Sequence, residues 1–149
     1  MKKLLSGLFL MFAMGLTFTA CSDDDDDVIT HETTPEVATA GTYSGTWTKE
    51  KVGGETTTGS GTLVLSAASQ YVTNVKVESA ELGLSKESVA NIAWAGNDCF
   101  FSNMDVKNGF GVKFSGSILA DNTAKIAFTV VEREGRKTYT FNYTFEGNK

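Results

Sequence analysis

Histidine, cysteine and proline are scarce in this chain: one His, two Cys and one Pro among 149 residues. A single histidine, His31, excludes a metal site or proton relay built on two. Two cysteines, Cys21 and Cys99, cannot make a disulfide framework or a Cys-rich metal site. With no histidine after residue 31, neither a Ser-His-Asp nor a Cys-His nucleophile is expected in the C-terminal part. Basic residues are also outnumbered, 13 Lys+Arg against 18 Asp+Glu for a net charge of −5, which argues against a nucleic-acid binder. Past the first twenty residues no apolar run approaches the ~20 residues of a spanning helix. No glycine-rich phosphate loop precedes a helix, since Gly53-Gly54 and Gly59-Ser60-Gly61 read as parts of a hairpin. Neither a cofactor nor a metal is expected.

What the chain does have is 41% hydrophobic residues, enough for the core of one domain. The first segment is an address. Residues 1–20, MKKLLSGLFLMFAMGLTFTA, combine Lys2 and Lys3 with a short apolar run from Leu4 to Phe18, the layout of a secretory signal rather than a retained span. Phe18-Thr19-Ala20 before Cys21 resembles the bacterial lipobox, in which the cysteine is acylated and the signal is cut before it; Phe18 departs from the usual aliphatic residue. The alternative is ordinary secretion with a free thiol at Cys21. Acyl chains contribute ~0.8 kcal/mol per buried CH₂, so several chains hold a soluble domain on a membrane.

Ser22 and the run Asp23 to Asp27 follow. Adjacent carboxylates repel and stay solvated, which reads as a spacer. A serine and an acidic run after an acylated cysteine also resemble the surface-export signal of some Gram-negative lipoproteins. The expected location is therefore the outer membrane, exposed at the cell surface and held by a lipid anchor. The run lacks the spaced ligands and turn glycine of a calcium loop. Residues 21–40 are expected to form an acidic disordered tether, with His31 exposed and Pro35 in the linker. Residues 41–149 then hold eleven acids and eleven bases, so the net charge carries no information about the domain's partner.

From Gly41 the dominant period is two, the signature of strands. Tyr139, Phe141, Tyr143 and Phe145 alternate with Thr138, Thr140, Asn142 and Thr144, as a sheet with one buried and one wet face requires. Ile126, Phe128 and Val130 share a face, as do Phe114 and Ile118, Val75 and Val77, and Ile92 and Trp94. Turn signals stand at Gly53-Gly54, Asn108-Gly109, Ala120-Asp121-Asn122-Thr123 and Glu134-Gly135. Residues 79–87 are ambiguous, since Ser85-Lys86-Glu87 can also start a helical turn. The expected fold is all-β: an antiparallel up-and-down barrel of about eight strands, whose closure removes exposed edges. The interior is expected to hold Tyr43, Trp47, Leu63, Leu65, Val75, Val77, Ile92, Trp94, Phe100, Met104, Val112, Phe114, Ile118, Ile126, Phe128, Val130, Tyr139, Phe141, Tyr143 and Phe145. Cys99 is expected to be a small core residue. So much aromatic volume favours a barrel filled at least at one end.

Gly45-Thr46-Trp47 in the first strand is similar to the Gly-x-Trp motif that opens lipocalins and other calycins. With Gly41-Thr42-Tyr43-Ser44-Gly45 at the start and Tyr143-Thr144-Phe145-Glu146-Gly147 at the close, residues 41–147 look like the calycin-like β-barrel domain of bacterial lipoproteins. The resemblance implies a closed barrel with Trp47 near its floor beneath an arginine of the last strand. This chain offers Arg133 and Arg136, both in or beside the final turn. It implies no particular ligand. The leading expectation is a surface-tethered, non-catalytic binding module for a small hydrophobic or glycan-derived ligand, with Trp94 and Tyr139 as candidate pocket residues. The alternative is a structural or interaction protein with a filled barrel that meets envelope or host macromolecules through its outer face or loops, beginning with Phe101, Val72 or Val131. An enzyme built on carboxylates such as Glu78, Asp98 or Asp105 is the dissenting class. The oligomeric state is not legible.

Overall fold

The computed structural model describes residues 29–103 and 112–149. Eight antiparallel strands follow one another around a closed barrel in sequence order. They are β1 (Gly41–Lys51), β2 (Thr56–Ser69), β3 (Val72–Ser79), β4 (Leu84–Ala95), β5 (Asp98–Asn103), β6 (Phe114–Ile118), β7 (Thr123–Glu134) and β8 (Lys137–Asn148), preceded by a short helix, α1 (Pro35–Ala38). The all-β, up-and-down expectation is met. The closure is made by β1 and β8, which pair from Ser44↔Asn148 to Lys51↔Phe141, so neither terminal strand has a free edge. The ambiguous residues 79–87 hold the end of β3, a turn and the start of β4.

Alternation along each strand fixes what lies inside. Tyr43 and Trp47 on β1, Leu63 and Leu65 on β2, and Val75 and Val77 on β3 are buried, as are Ile126 and Phe128 on β7 and Phe141, Tyr143 and Phe145 on β8. Trp47 meets Phe128 edge-on at 5.8 Å and Phe145 at 4.9 Å, and Phe128 stacks on Tyr143 at 5.0 Å. Glycines at inward positions make room for these rings. A Cβ on Gly61 would lie 2.6 Å from Trp47 Cδ1, one on Gly116 would overlap the Phe101 ring, and one on Gly147 would lie 2.6 Å from Phe145 Cζ. The Trp47–arginine contact of the resemblance is not made. Trp47 packs among phenylalanines, while Arg133 is exposed and donates from Nε to the carbonyl of Gly135.

Two sequence expectations need correction. Phe100, expected inside, is 54% exposed, and its neighbour Phe101, expected in a surface patch, is 2% exposed. Two adjacent phenylalanines satisfy a period of two in either phase. The choice goes with the β5–β6 register, Phe101↔Gly116, which sets the Phe101 ring over a glycine. Cys99, two residues away on the same face, is buried as expected. Of the other expected surface residues, Val131 is 62% exposed and Val72 is half-buried. Met104 and the Asn108-Gly109 turn lie outside the described residues.

The second correction concerns the expected tether, residues 21–40, of which 31–40 are found folded against the barrel. Pro35, Glu36 and Thr39 are buried. Proline at the first helical position suits the start of α1, where its missing N–H costs nothing. The Thr39 hydroxyl donates to the Pro35 carbonyl at 2.7 Å, and the Tyr43 hydroxyl donates to the Thr39 carbonyl at 2.7 Å. Glu36 accepts from the Thr34 hydroxyl at 2.6 Å and from the Tyr71 N–H at 3.1 Å. Since α1 runs straight into β1 and reaches the β2–β3 turn, it covers the barrel end at which β1 starts.

Candidate functional site

The up-and-down order gives the barrel two unlike ends. The end carrying the start of β1 and the β2–β3, β4–β5 and β6–β7 turns is covered by α1. The other end carries the finish of β1 and the β3–β4 and β7–β8 turns. Trp94 and Tyr139 lie at opposite ends and do not share a mouth.

Trp94 belongs to the covered end. His31 stacks flat on its ring, centroids 3.6 Å apart and planes 5° from parallel. Its Nε1–H donates to the carbonyl of Thr33 at 3.3 Å, and His31 Nε2 bonds the carbonyl of Gly96 at 2.8 Å. The histidine expected to be solvated is thus a packing group that straps the segment before α1 across the β4–β5 turn. Its only sequence signal would have been the Trp94 ring, 63 residues away.

Tyr139 belongs to the other end, where the inner wall becomes charged. Cα partners in an antiparallel sheet share a face. Lys49 opposes Tyr143 and Lys51 opposes Phe141, and Glu132 opposes Tyr139, so all three charges occupy core-facing positions. Lys49 Nζ lies 4.2 Å from the Phe141 ring centre, 5.4 Å from that of Tyr143 and 3.7 Å from Glu132 Oε2. Lys51 Nζ lies 3.6 Å from the centre of the Tyr139 ring. Both contacts are of cation–π type. Partial removal from water would lower the pKa of Lys49, but the Tyr143 hydroxyl and the Glu132 carboxylate outweigh it and the net shift is upward. On the opposite wall Lys86 opposes the core residue Val77 and is half-buried. Sequence reading passed over these lysines because a charge at an inward strand position looks like a break in the pattern.

Trp47, next below Lys49 on the inner face of β1, is 0% exposed, and its Nε1–H has no hydrogen-bond partner among the described residues. A buried donor without a partner costs free energy of ~1–3 kcal/mol.

Grooves also mark the outer wall. One of about 520 Å³ is lined by outward side chains including Thr46, Thr48, Phe100, Ser117, Lys125 and Thr144. The Lys125–Glu146 pair, 3.5 Å apart, lies along it.

Among the described residues no cluster of three or more His, Cys, Asp or Glu could hold a metal ion. Burial and the Asp98 carboxylate push the Cys99 thiol up to about 11, so it is not an activated nucleophile. Cys21, the expected site of lipid attachment, lies outside the described residues. No protein-family model matches the chain, and no curated protein matches it; its closed, eight-stranded antiparallel barrel is compatible with a calycin-like fold.

Proposed function

We propose that this protein is a lipid-anchored, non-catalytic binding module. Its barrel takes a small hydrophobic or glycan-derived ligand at the end opposite α1. The observation that carries the reading is the contrast between the two ends. One is covered by α1 and bonded down through Glu36 and Tyr43. The other keeps Lys49, Lys51 and Glu132 at core-facing positions beside Tyr139, Phe141 and Tyr143. A few polar groups set among aromatic walls are what a small-molecule site consists of. The signal-like residues 1–20, Cys21 and the acidic run after it support an anchor at the outer membrane with the barrel facing outward.

The direct test is a titration of the purified protein with lipid and sugar panels, followed by tryptophan fluorescence. A saturable response that Tyr139→Ala abolishes and Trp94→Phe leaves in place is the expected result; a flat response to every compound refutes the reading. Cys21→Ser should move the protein from the membrane fraction to the soluble fraction. The exposed Phe100 in its outer groove favours a second reading, an interaction protein that uses its outer wall. In that case Phe100→Ser would remove partner binding and Tyr139→Ala would not.

A further inference from the structure

We infer that the α1 end of the barrel docks on the surface of the bilayer that holds the chain's own lipid anchor; this rests on the lipid-anchored reading above. His31 is stacked on Trp94 and bonded to the Gly96 carbonyl, and Trp94 donates to the Thr33 carbonyl. These contacts fasten the chain to the barrel from residue 31 onward. Eight residue steps separate Cys21 from Ile29, a reach of at most ~29 Å. A tether free as far as Gly41 would reach ~72 Å. Since the chain joins the barrel at the α1 end, that end is the one held toward the anchor.

The surface there suits a headgroup layer. Of the seven exposed large hydrophobic residues among those described, Ile29, Val37 and Tyr71 belong to this end, at 47%, 56% and 51% exposure. The other four are scattered over the β1–β2 turn and the outer wall. α1 buries Pro35, Glu36 and Thr39 against the barrel and turns Val37 outward. Tyr71, an apolar ring with a polar tip, is a residue type favoured at the membrane–water interface. The charges of this end are engaged with the backbone. Glu36 accepts from the Tyr71 N–H, Asp98 from the Ala120 N–H and Asp121 from the Thr123 N–H, while Lys149 donates to the Ala40 carbonyl. The contact is therefore apolar rather than ionic. Three such side chains hold a membrane only weakly, but a short tether keeps the bilayer at high effective concentration.

The test uses the mature chain, purified from its membrane in detergent and reconstituted into phosphatidylcholine vesicles that carry a headgroup spin label. A thiol-linked fluorophore is placed through Ala38→Cys, beside Val37, or through Val52→Cys, at the opposite end; Cys99 is buried and stays unlabelled. Emission from position 38 should be quenched by the spin label and emission from position 52 should not. High salt should leave that difference in place. Val37→Ser combined with Tyr71→Asn should lower the docked-to-undocked ratio roughly tenfold; asparagine tolerates the positive φ of residue 71. The comparison of the two labels needs no change to the docking residues, so it stands even if the double variant fails to fold. Equal quenching at both positions, stronger quenching at 52, or loss of the difference in high salt overturns the docking and leaves the anchor standing. A chain that does not float with the vesicles overturns the two together.

Discussion

At the scale of single residues, the interior is a set of rings seated on glycines. Trp47 lies against Gly61, where a Cβ would also overlap the Glu78 carbonyl oxygen. Backbone cannot yield as a flexible side chain can, so Gly61→Ala should cost about 2–3 kcal/mol. The urea midpoint falls with an unchanged slope if the native fold persists. Cys99 and Tyr43 make a second residue-scale prediction. Burial is the main cause in both: it lifts the Cys99 thiol from 9.0 to about 11 and the Tyr43 phenol from 10.0 to about 12. A group whose folded pKa is raised stabilises the fold fully below its unfolded pKa and loses that contribution as pH climbs to the folded value. Urea midpoints should therefore decline from pH 9 to 12. Below pH 9 Cys99 should react with a thiol reagent only as fast as the chain opens, and at full speed in denaturant. Phe100 and Phe101 show where residue-level reading fails. Their order along the chain is neutral between two phases, and the space over Gly116 decides.

At the scale of elements, α1 is the least expected part. Four residues cannot make a stable helix alone, so its existence depends on contacts remote in sequence. The chief one is the Glu36 carboxylate on the Tyr71 N–H. Tyr71 has φ = 60°, a backbone conformation that costs a non-glycine residue about 1–2 kcal/mol; the Glu36 bond and the bond from Ile92 N–H to the Tyr71 carbonyl at 3.0 Å hold it there. Removal from water would raise the Glu36 pKa, but the hydrogen bonds from the Thr34 hydroxyl and from the backbone N–H groups outweigh it, and the net shift is downward. A carboxylate with a depressed folded pKa stabilises above its unfolded value of 4.5, and that contribution is lost as pH falls through the folded one. Below pH 4.5 α1 should loosen, uncovering Trp94 from beneath His31. Acrylamide quenching of tryptophan should rise there, and Glu36→Gln should show the same rise at neutral pH. If quenching stays flat in both, Glu36 does not hold α1.

At the scale of the whole molecule, closure is the organising event. β8 pairs on both sides, with β1 and with β7 from Thr123↔Asn148 to Glu134↔Lys137. Removing residues 141–149 would free two long edges and uncover the aromatic interior, so the truncated chain should be insoluble or aggregated when overproduced. A soluble, cooperatively folding truncation would refute the dependence on closure. The strands, their inward faces and their order were legible in the sequence because alternation and hairpin turns are local, carried by side chains two residues apart and by dipeptides such as Glu134-Gly135. Tertiary structure alone decided which phenylalanine of a pair turns inward, that Pro35 and Glu36 belong to the fold, that Trp94 and Tyr139 stand at opposite ends, and that Lys49, Lys51 and Glu132 meet inside one rim. Each of those facts is a distance between residues far apart in the chain, set by register and closure, and no local pattern encodes it.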